Sequence, residues 1–195
     1  MKGSERYKQL LVLNTQMQDQ LANGFDGQSL IDVICRIGVL VQQFDCKSVL
    51  DYGCGRGDVQ RQFNVDALWR VKYRGYDPAV QAFPGAVADD VSLGFVRELP
   101  AEKFDAVIST DALEHIPEED ILGWVLDEIF SKANKFVFIK VPTYEVEQWL
   151  PNGENVHCTV KSQDWWGDIL QTLSTKHKVP FGAVIKTRPE KGVGE

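Results

Sequence analysis

The segment Val49-Leu50-Asp51-Tyr52-Gly53-Cys54-Gly55-Arg56-Gly57-Asp58 constrains this chain more than any other. A short apolar run reads as a buried strand ending at Asp51, and three glycines follow at alternate positions before a short helix. Glycine lets the backbone turn sharply and lets a ligand approach without meeting a Cβ. The helix start beyond offers free N–H groups to an anionic or polar ligand group. In open α/β sheets ligands bind at this end of the strands. Two nucleotide patterns are excluded. The dinucleotide fingerprint needs glycine or alanine at the sixth place of GxGxxG, which falls on Asp58 counting from Gly53 and on Gln60 counting from Gly55. No Gly-Lys-Ser/Thr follows, so a P-loop fails too. For the loop by itself, a glycine-rich turn with no ligand is the plain alternative.

Around this loop, short apolar runs alternate with helical ones. Residues 4–21 read as a helix, with Tyr7, Leu10, Leu11, Leu13 and Met17 at 3–4 spacing and Asn23-Gly24 as its stop. A second helix is expected over 29–44, with Ser29 as cap. Strands are expected at 48–50, 71–75, 86–88, 104–109 and 135–141. Between the last two, 118–132 is a helix with an acidic first turn, Lys132 near its end, and Ile121, Leu122, Val125, Ile129 and Phe130 on one face. Ser162 caps a further helix to about Leu173, and the runs 176–179 and 183–187 around Pro180-Phe181-Gly182 read as a hairpin. The alternation predicts one α/β domain over 1–195. Residues 1–45 form a helical extension of it and 46–190 a doubly wound, mostly parallel core, with an antiparallel C-terminal strand and helices on both faces.

A second strand ends in Tyr76-Asp77-Pro78-Ala79, its acid 20 residues after Gly57, where a carboxylate accepts hydrogen bonds from two ribose hydroxyls. Asp89 and Asp90 follow the third strand. These segments, with D-x-G-x-G-x-G as Asp51, Gly53, Gly55 and Gly57 and the "FD-x-V-I…LEHI" segment from Phe104 to Ile116, resemble the class I S-adenosylmethionine-dependent methyltransferases. The resemblance runs from about Lys47 to Arg188. It implies a Rossmann-like seven-stranded sheet, S-adenosylmethionine as cofactor and S-adenosylhomocysteine as product. It places Asp51, Tyr52, Gly53, Cys54, Gly55 and Gly57 on the cofactor, with Asp77 and Pro78 at the ribose. Asp89, with Asp90 as fallback, would hold the adenine amino group, and Thr110 and Asp111 would stand beside the sulfonium. A carboxylate at Asp51 suits the ammonium of the ligand's methionine end.

After the fifth strand, Leu150-Pro151-Asn152-Gly153-Glu154-Asn155-Val156-His157 and then Trp165-Trp166 resemble a subgroup of small phage and bacterial methyltransferase-like proteins. This stretch would form the rim of the methyl-donor pocket. His157 is the first candidate for a general base or an acceptor-orienting group, and His115 the second. Glu114 and His115 have a structural reading as well, bracing the next helix with the acid holding the imidazole tautomer. One tryptophan packs the helix on the sheet, and the other can shape the acceptor pocket.

Charge and composition narrow the acceptor. Lys plus Arg number 21 against 28 for Asp plus Glu, a net charge of −7 that argues against bulk nucleic acid or an anionic membrane as partner. A small-molecule or protein acceptor is expected, the small molecule favoured. No apolar run is long enough to span a bilayer, and the first residues lack a secretory pattern, so a cytoplasmic protein is expected. The cysteines at 35, 46, 54 and 158 form no CxxC pair and have no His cluster near them, so no metal is expected. Two other readings stand beside the methyltransferase. One is a non-catalytic descendant serving as a binding or assembly module. The other is a nicotinamide-dependent oxidoreductase, disfavoured by Asp58.

Overall fold

In the computed structural model, residues 2–20, 29–79, 94–96 and 98–188 are described. The strand expected over 86–88, the stop at Asn23-Gly24, and Asp89 and Asp90 lie outside them.

The sheet is built from β1 (Ser48–Tyr52), β2 (Lys72–Tyr76), β3 (Phe95–Val96), β4 (Phe104–Thr110), β5 (Ala133–Pro142) and β6 (Phe181–Lys186). Their order is β3-β2-β1-β4-β5-β6. Side chains of a strand alternate between the two faces, and the apolar runs serve both. Val49, Ala106, Ile108, Phe136 and Phe138 enter one core with α2 (Ile34–Gln43), α3 (Asp58–Phe63) and α4 (Val65–Trp69). Leu50, Tyr52, Val107, Val137 and Ile139 enter the other, under α5 (Glu118–Asp120), the π turn Ile121–Val125, α6 (Leu126–Lys132) and α7 (Gln163–His177). The α/β reading with helices on both faces holds.

Three expectations change. The final strand is parallel: β6 pairs with β5 from Val137↔Phe181 to Pro142↔Lys186. Among the described residues the sheet has six strands, and every pairing within it is parallel. The cause is the length of α7. Capped by Ser162, whose side chain accepts from the Trp165 N–H, it runs on to His177 and ends on Lys178 at φ 58°. His177 Nε2 meets Asp127 Oδ1 at 2.7 Å, fixing that last turn against α6. The residues a hairpin needs are therefore helical, and the chain re-enters the sheet after a helical crossover, which makes the next strand parallel. In the helix over 118–132, the wider π turn shifts the register, so Leu126 is buried and Leu122 is 54% exposed. Over 29–44, Leu30 and not Ser29 holds the cap position, with no side-chain cap bond, and a 3-10 turn at Ile31–Val33 precedes α2.

The N-terminal helix α1 (Glu5–Gln20) lies across the C-terminal ends of the strands. Its start is tied to the helix over 118–132: Asp120 accepts from the Ser4 N–H (2.8 Å) and Ser4 Oγ (2.6 Å), and Lys2 meets Glu128 at 2.9 Å. Arg6 pairs with Glu154 across the loop after β5. Leu10 and Met17 pack with Leu150 and Val156 in a small separate core, and Thr15 Oγ1 donates to the Ala79 carbonyl at 3.3 Å.

Candidate functional site

A cavity of about 550 Å³ opens at the C-terminal ends of β1, β2, β4 and β5, roofed by Tyr7, Leu11, Asn14 and Met17 of α1. Its place follows from the chain path. From β1 the chain winds outward to β2 and β3, then returns past β1 to β4, and α/β sheets hold ligands at such a reversal. The strand order sets a β2/β1 half beside a β4/β5 half.

The β2/β1 half carries the glycine loop. Gly53 (φ 85°) and Gly57 (φ 70°) adopt left-handed backbone, and a Cβ at either position would meet Ala112 Cβ at 2.5 Å or the Phe95 ring at 2.1 Å. Those two glycines serve close packing. At Gly55 an added Cβ would meet nothing within 4 Å, so here the backbone fronts open space. The Gly55 N–H donates to Asp77 Oδ2 at 2.9 Å, and the Ala79 N–H donates to Asp77 Oδ1 at 2.8 Å. The second acid thus holds the loop in shape as well as lining the cavity.

Asp51 is buried at the end of β1. Its Oδ2 accepts from the Tyr73 hydroxyl at 2.8 Å, while Oδ1 has no hydrogen-bond partner. Burial pushes its carboxyl up to about 7, against the Tyr73 hydrogen bond and with a smaller push from Asp77. Such an orphaned oxygen lining a cavity calls for a donor, and a cationic donor above all.

In the β4/β5 half, Thr110 ends β4 and Asp111 turns the chain at φ 48°. Asp111 Oδ2 meets Lys140 Nζ at 2.7 Å, and Lys140, 1% exposed, also donates to the Ser29 carbonyl and Asp32. Beyond lies the 3-10 turn Leu113–His115. His115 Nδ1 bonds the Val156 carbonyl at 2.9 Å, and His157 Nδ1 bonds the Tyr144 carbonyl at 2.7 Å. Carbonyls only accept, so both rings carry their proton on Nδ1 and present Nε2 as a lone pair when neutral. The rings stand edge to face at 5.2 Å, and Glu114 Oε1 lies 3.9 and 3.8 Å from the Nε2 atoms of His115 and His157. Burial, reinforced by Asp111, raises the Glu114 carboxyl well above its ordinary value. Burial lowers His115 to about 4, with His157 a minor cause.

Every expected site residue among the described ones lines this cavity: Asp51, Tyr52, Gly53, Cys54, Gly55, Gly57, Asp77, Pro78, Thr110, Asp111, His115 and His157. Three expectations about details change. The imidazole tautomer of His115 is held by Val156, since Glu114 stands beyond hydrogen-bond reach. His115 is the more open of the two histidines, 28% exposed at the side chain against 8% for His157. Neither tryptophan lines the cavity: Trp166 is fully buried in the core and Trp165 packs on it, their rings 4.9 Å apart. Sequence reasoning missed Lys140, hidden in an otherwise apolar strand, and gave Tyr144 no role of its own.

A family profile described as "Methyltransferase domain" matches residues 16–174. No curated protein matches the chain. Among solved structures, 1,6-didemethyltoxoflavin-N1-methyltransferase from Burkholderia thailandensis, with bound 1,6-didemethyltoxoflavin and S-adenosylhomocysteine, is similar at TM-score 0.56 and 16% identity, covering 89% of this chain and 81% of that one. The plantazolicin methyltransferase BpumL, in complex with a pentazolic desmethylPZN analog and SAH, is similar at TM-score 0.52 and 13% identity, over 88% and 78% of the two chains. The methyltransferase domain of bacterial CtHen1-CN gives 0.51 and 15%, over 77% and 85%. At these identities the likeness is one of fold.

Proposed function

The chain belongs to the methyltransferase domain family, whose methyl donor is S-adenosylmethionine, and from that premise we propose that it methylates a small-molecule acceptor in the roofed cavity. The observation carrying this reading is Asp51 Oδ1, a buried carboxylate oxygen without a partner at the end of β1, beside a glycine loop that fronts open space. S-adenosylmethionine supplies an electrophilic methyl group on a sulfonium, and its methionine ammonium is the donor such an oxygen lacks. In this reading Asp51 takes the ammonium and Asp77 takes the ribose hydroxyls. Tyr52, Gly53, Cys54, Gly55, Gly57 and Pro78 wall the ligand, Thr110 and Asp111 stand beside the methyl group, and Asp89 or Asp90 serves the adenine.

The acceptor then sits in the β4/β5 half, below α1. A cavity of about 550 Å³ falls in the range of roughly 300–1,000 Å³ that encloses small ligands. One fold neighbour holds 1,6-didemethyltoxoflavin and another a pentazolic desmethylPZN analog, each together with S-adenosylhomocysteine, which supports an acceptor enclosed beside the cofactor. Methyl transfer is an in-line displacement, so this chain's main tasks are to align the acceptor and exclude water. His157 and His115 present Nε2 lone pairs to the acceptor, able to orient an O–H or N–H or to take its proton.

The test is thermal stability. S-adenosylhomocysteine at about 100-fold its dissociation constant should add roughly 2.7 kcal/mol to the folded state, and NAD should add nothing. A melt unmoved by S-adenosylhomocysteine and raised by NAD overturns the reading.

A further inference from the structure

We propose that Glu114, His115 and His157 form a binding site for a divalent transition cation, open toward the β4/β5 half of the cavity. The ligating atoms, one from each residue, lie within 4.8 Å of one another. Three features of their setting point to a cation.

First, the groups facing each other are all electron-rich. The two imidazole Nε2 atoms stand 3.9 and 3.8 Å from one Glu114 oxygen, too far for a hydrogen bond. Left alone, none of the three groups satisfies another; a positive charge at their centre engages all of them. Second, Glu114 is 1% exposed and its Oε2 has no hydrogen-bond partner, while Asp111 Oδ1 nearby is also buried and unpartnered. Two such oxygens in one wall are buried acceptors without a donor. Third, each histidine gives its Nδ1 proton to a backbone carbonyl, Val156 for His115 and Tyr144 for His157. Metal-bound histidines are oriented by just this kind of outer partner.

The chemistry of the donors selects the ion. Paired imidazole nitrogens favour the first-row transition series over magnesium and calcium, which prefer all-oxygen sets. Zinc holds nitrogen and oxygen at about 2.0–2.2 Å, so tetrahedral ligand atoms stand about 3.4 Å apart. The Glu114 oxygen reaches that spacing from each imidazole by drawing in about half an ångström, and the two imidazole nitrogens, within 4.8 Å of each other, close by up to about 1.4 Å. All three residues line the cavity, so the remaining coordination position faces it, as in catalytic rather than closed structural sites. That position takes an oxygen or nitrogen of the acceptor. A hydroxyl bound there ionises more readily, its O–H electron pair staying on oxygen and its proton leaving to water. The two histidines would then act as ligands and not as bases. This last role rests on the methyltransferase reading; the cation site itself does not.

The chain has three histidines, which permits a direct test. Full-length protein labelled with ¹⁵N-histidine is treated with chelator, then titrated with Zn²⁺ while long-range ¹H–¹⁵N spectra follow the ring nitrogens. At one equivalent two Nε2 resonances should shift and the third, His177, should not. Calorimetry with Zn²⁺ should show the affinity of Glu114→Gln falling by at least the roughly 10–100-fold that loss of an outer partner costs. Absence of any shift at one equivalent, or a shift at His177 instead, overturns the proposal without recourse to a variant. Undiminished affinity in a folded Glu114→Gln does so as well. S-adenosylhomocysteine binding by the same preparation reports the methyltransferase reading separately, so either idea can fail alone.

Discussion

Replacing Asp51 with asparagine should make the ligand-free protein more stable and its cofactor binding weaker. The side chain keeps its shape and an oxygen to accept from the Tyr73 hydroxyl, now 2.8 Å from Oδ2. What vanishes is the buried charge. The folded-state value of about 7 lies above the ordinary 3.8, so the fold favours the protonated acid. The resulting stability is fully present below about pH 3.8 and is lost as pH rises through 7. One unit corresponds to about 1.4 kcal/mol, so holding Asp51 ionised at pH 8 costs the fold on the order of 4 kcal/mol. Asparagine escapes that cost. In a domain of this size, roughly 2–4 °C per kcal/mol converts it into a rise of about 10 °C at pH 8, shrinking to a few degrees near pH 5. In the complex the ammonium loses a charge-assisted partner, worth about 1.5–3 kcal/mol of affinity. Melts of both proteins from pH 4 to 8, and calorimetry with S-adenosylhomocysteine at pH 8, measure the two effects. An asparagine variant that melts lower at pH 8, or binds the ligand as tightly as the native chain, refutes the reasoning.

Asp77→Ala should lower S-adenosylhomocysteine affinity by about 2–4 kcal/mol, and, because the Gly55 and Ala79 N–H groups lose their acceptor, should also cost about 1–3 kcal/mol of stability. Calorimetry that finds native affinity in the folded variant removes Asp77 from the site. Lys140→Met should destabilise by about 3 kcal/mol, since Asp111 is left without its cation in a mostly buried wall, and adding Asp111→Asn should recover part of the loss. Urea denaturation measures both, and a loss below about 1 kcal/mol for the single variant removes the pair from the list of structural supports.

What the sequence disclosed depended on how local each feature is. The glycine loop and Asp77 are readable because their geometry is written in consecutive residues at strand ends, and they meet in space because β1 and β2 are neighbours. The strands of the core announce themselves as apolar runs buried on both faces. The direction of β6 was hidden, because it depends on how far α7 continues, and Lys176 and His177 look alike in a helix end and a strand. Lys140 sits in an apolar run where only tertiary partners justify it. The Glu114, His115 and His157 cluster was the least legible. Glu114 and His115 lie about 40 residues before His157, and they come together only because β4 and β5 pair and the loop after β5 folds back to bond the Thr159 N–H to the Glu114 carbonyl.

The cavity draws its walls from separate stretches of chain. One side is contiguous, residues 51–79, and is tied into the sheet by Asp77 and by glycines that tolerate no side chain. The roof and part of the far side, beside residues 110–116 at the end of β4, come from α1 and the loop over 144–157, joined to each other by the Arg6–Glu154 pair and the small Leu10, Met17, Leu150 and Val156 core. Neither stretch supplies a strand to the sheet. Inherited changes can therefore recut these two segments, residue by residue or helix by helix, while the sheet and its glycine loop stay as they are. In a lineage of such proteins, drift should gather in these two segments and shift them together, each roof substitution answered by one in the loop beneath it.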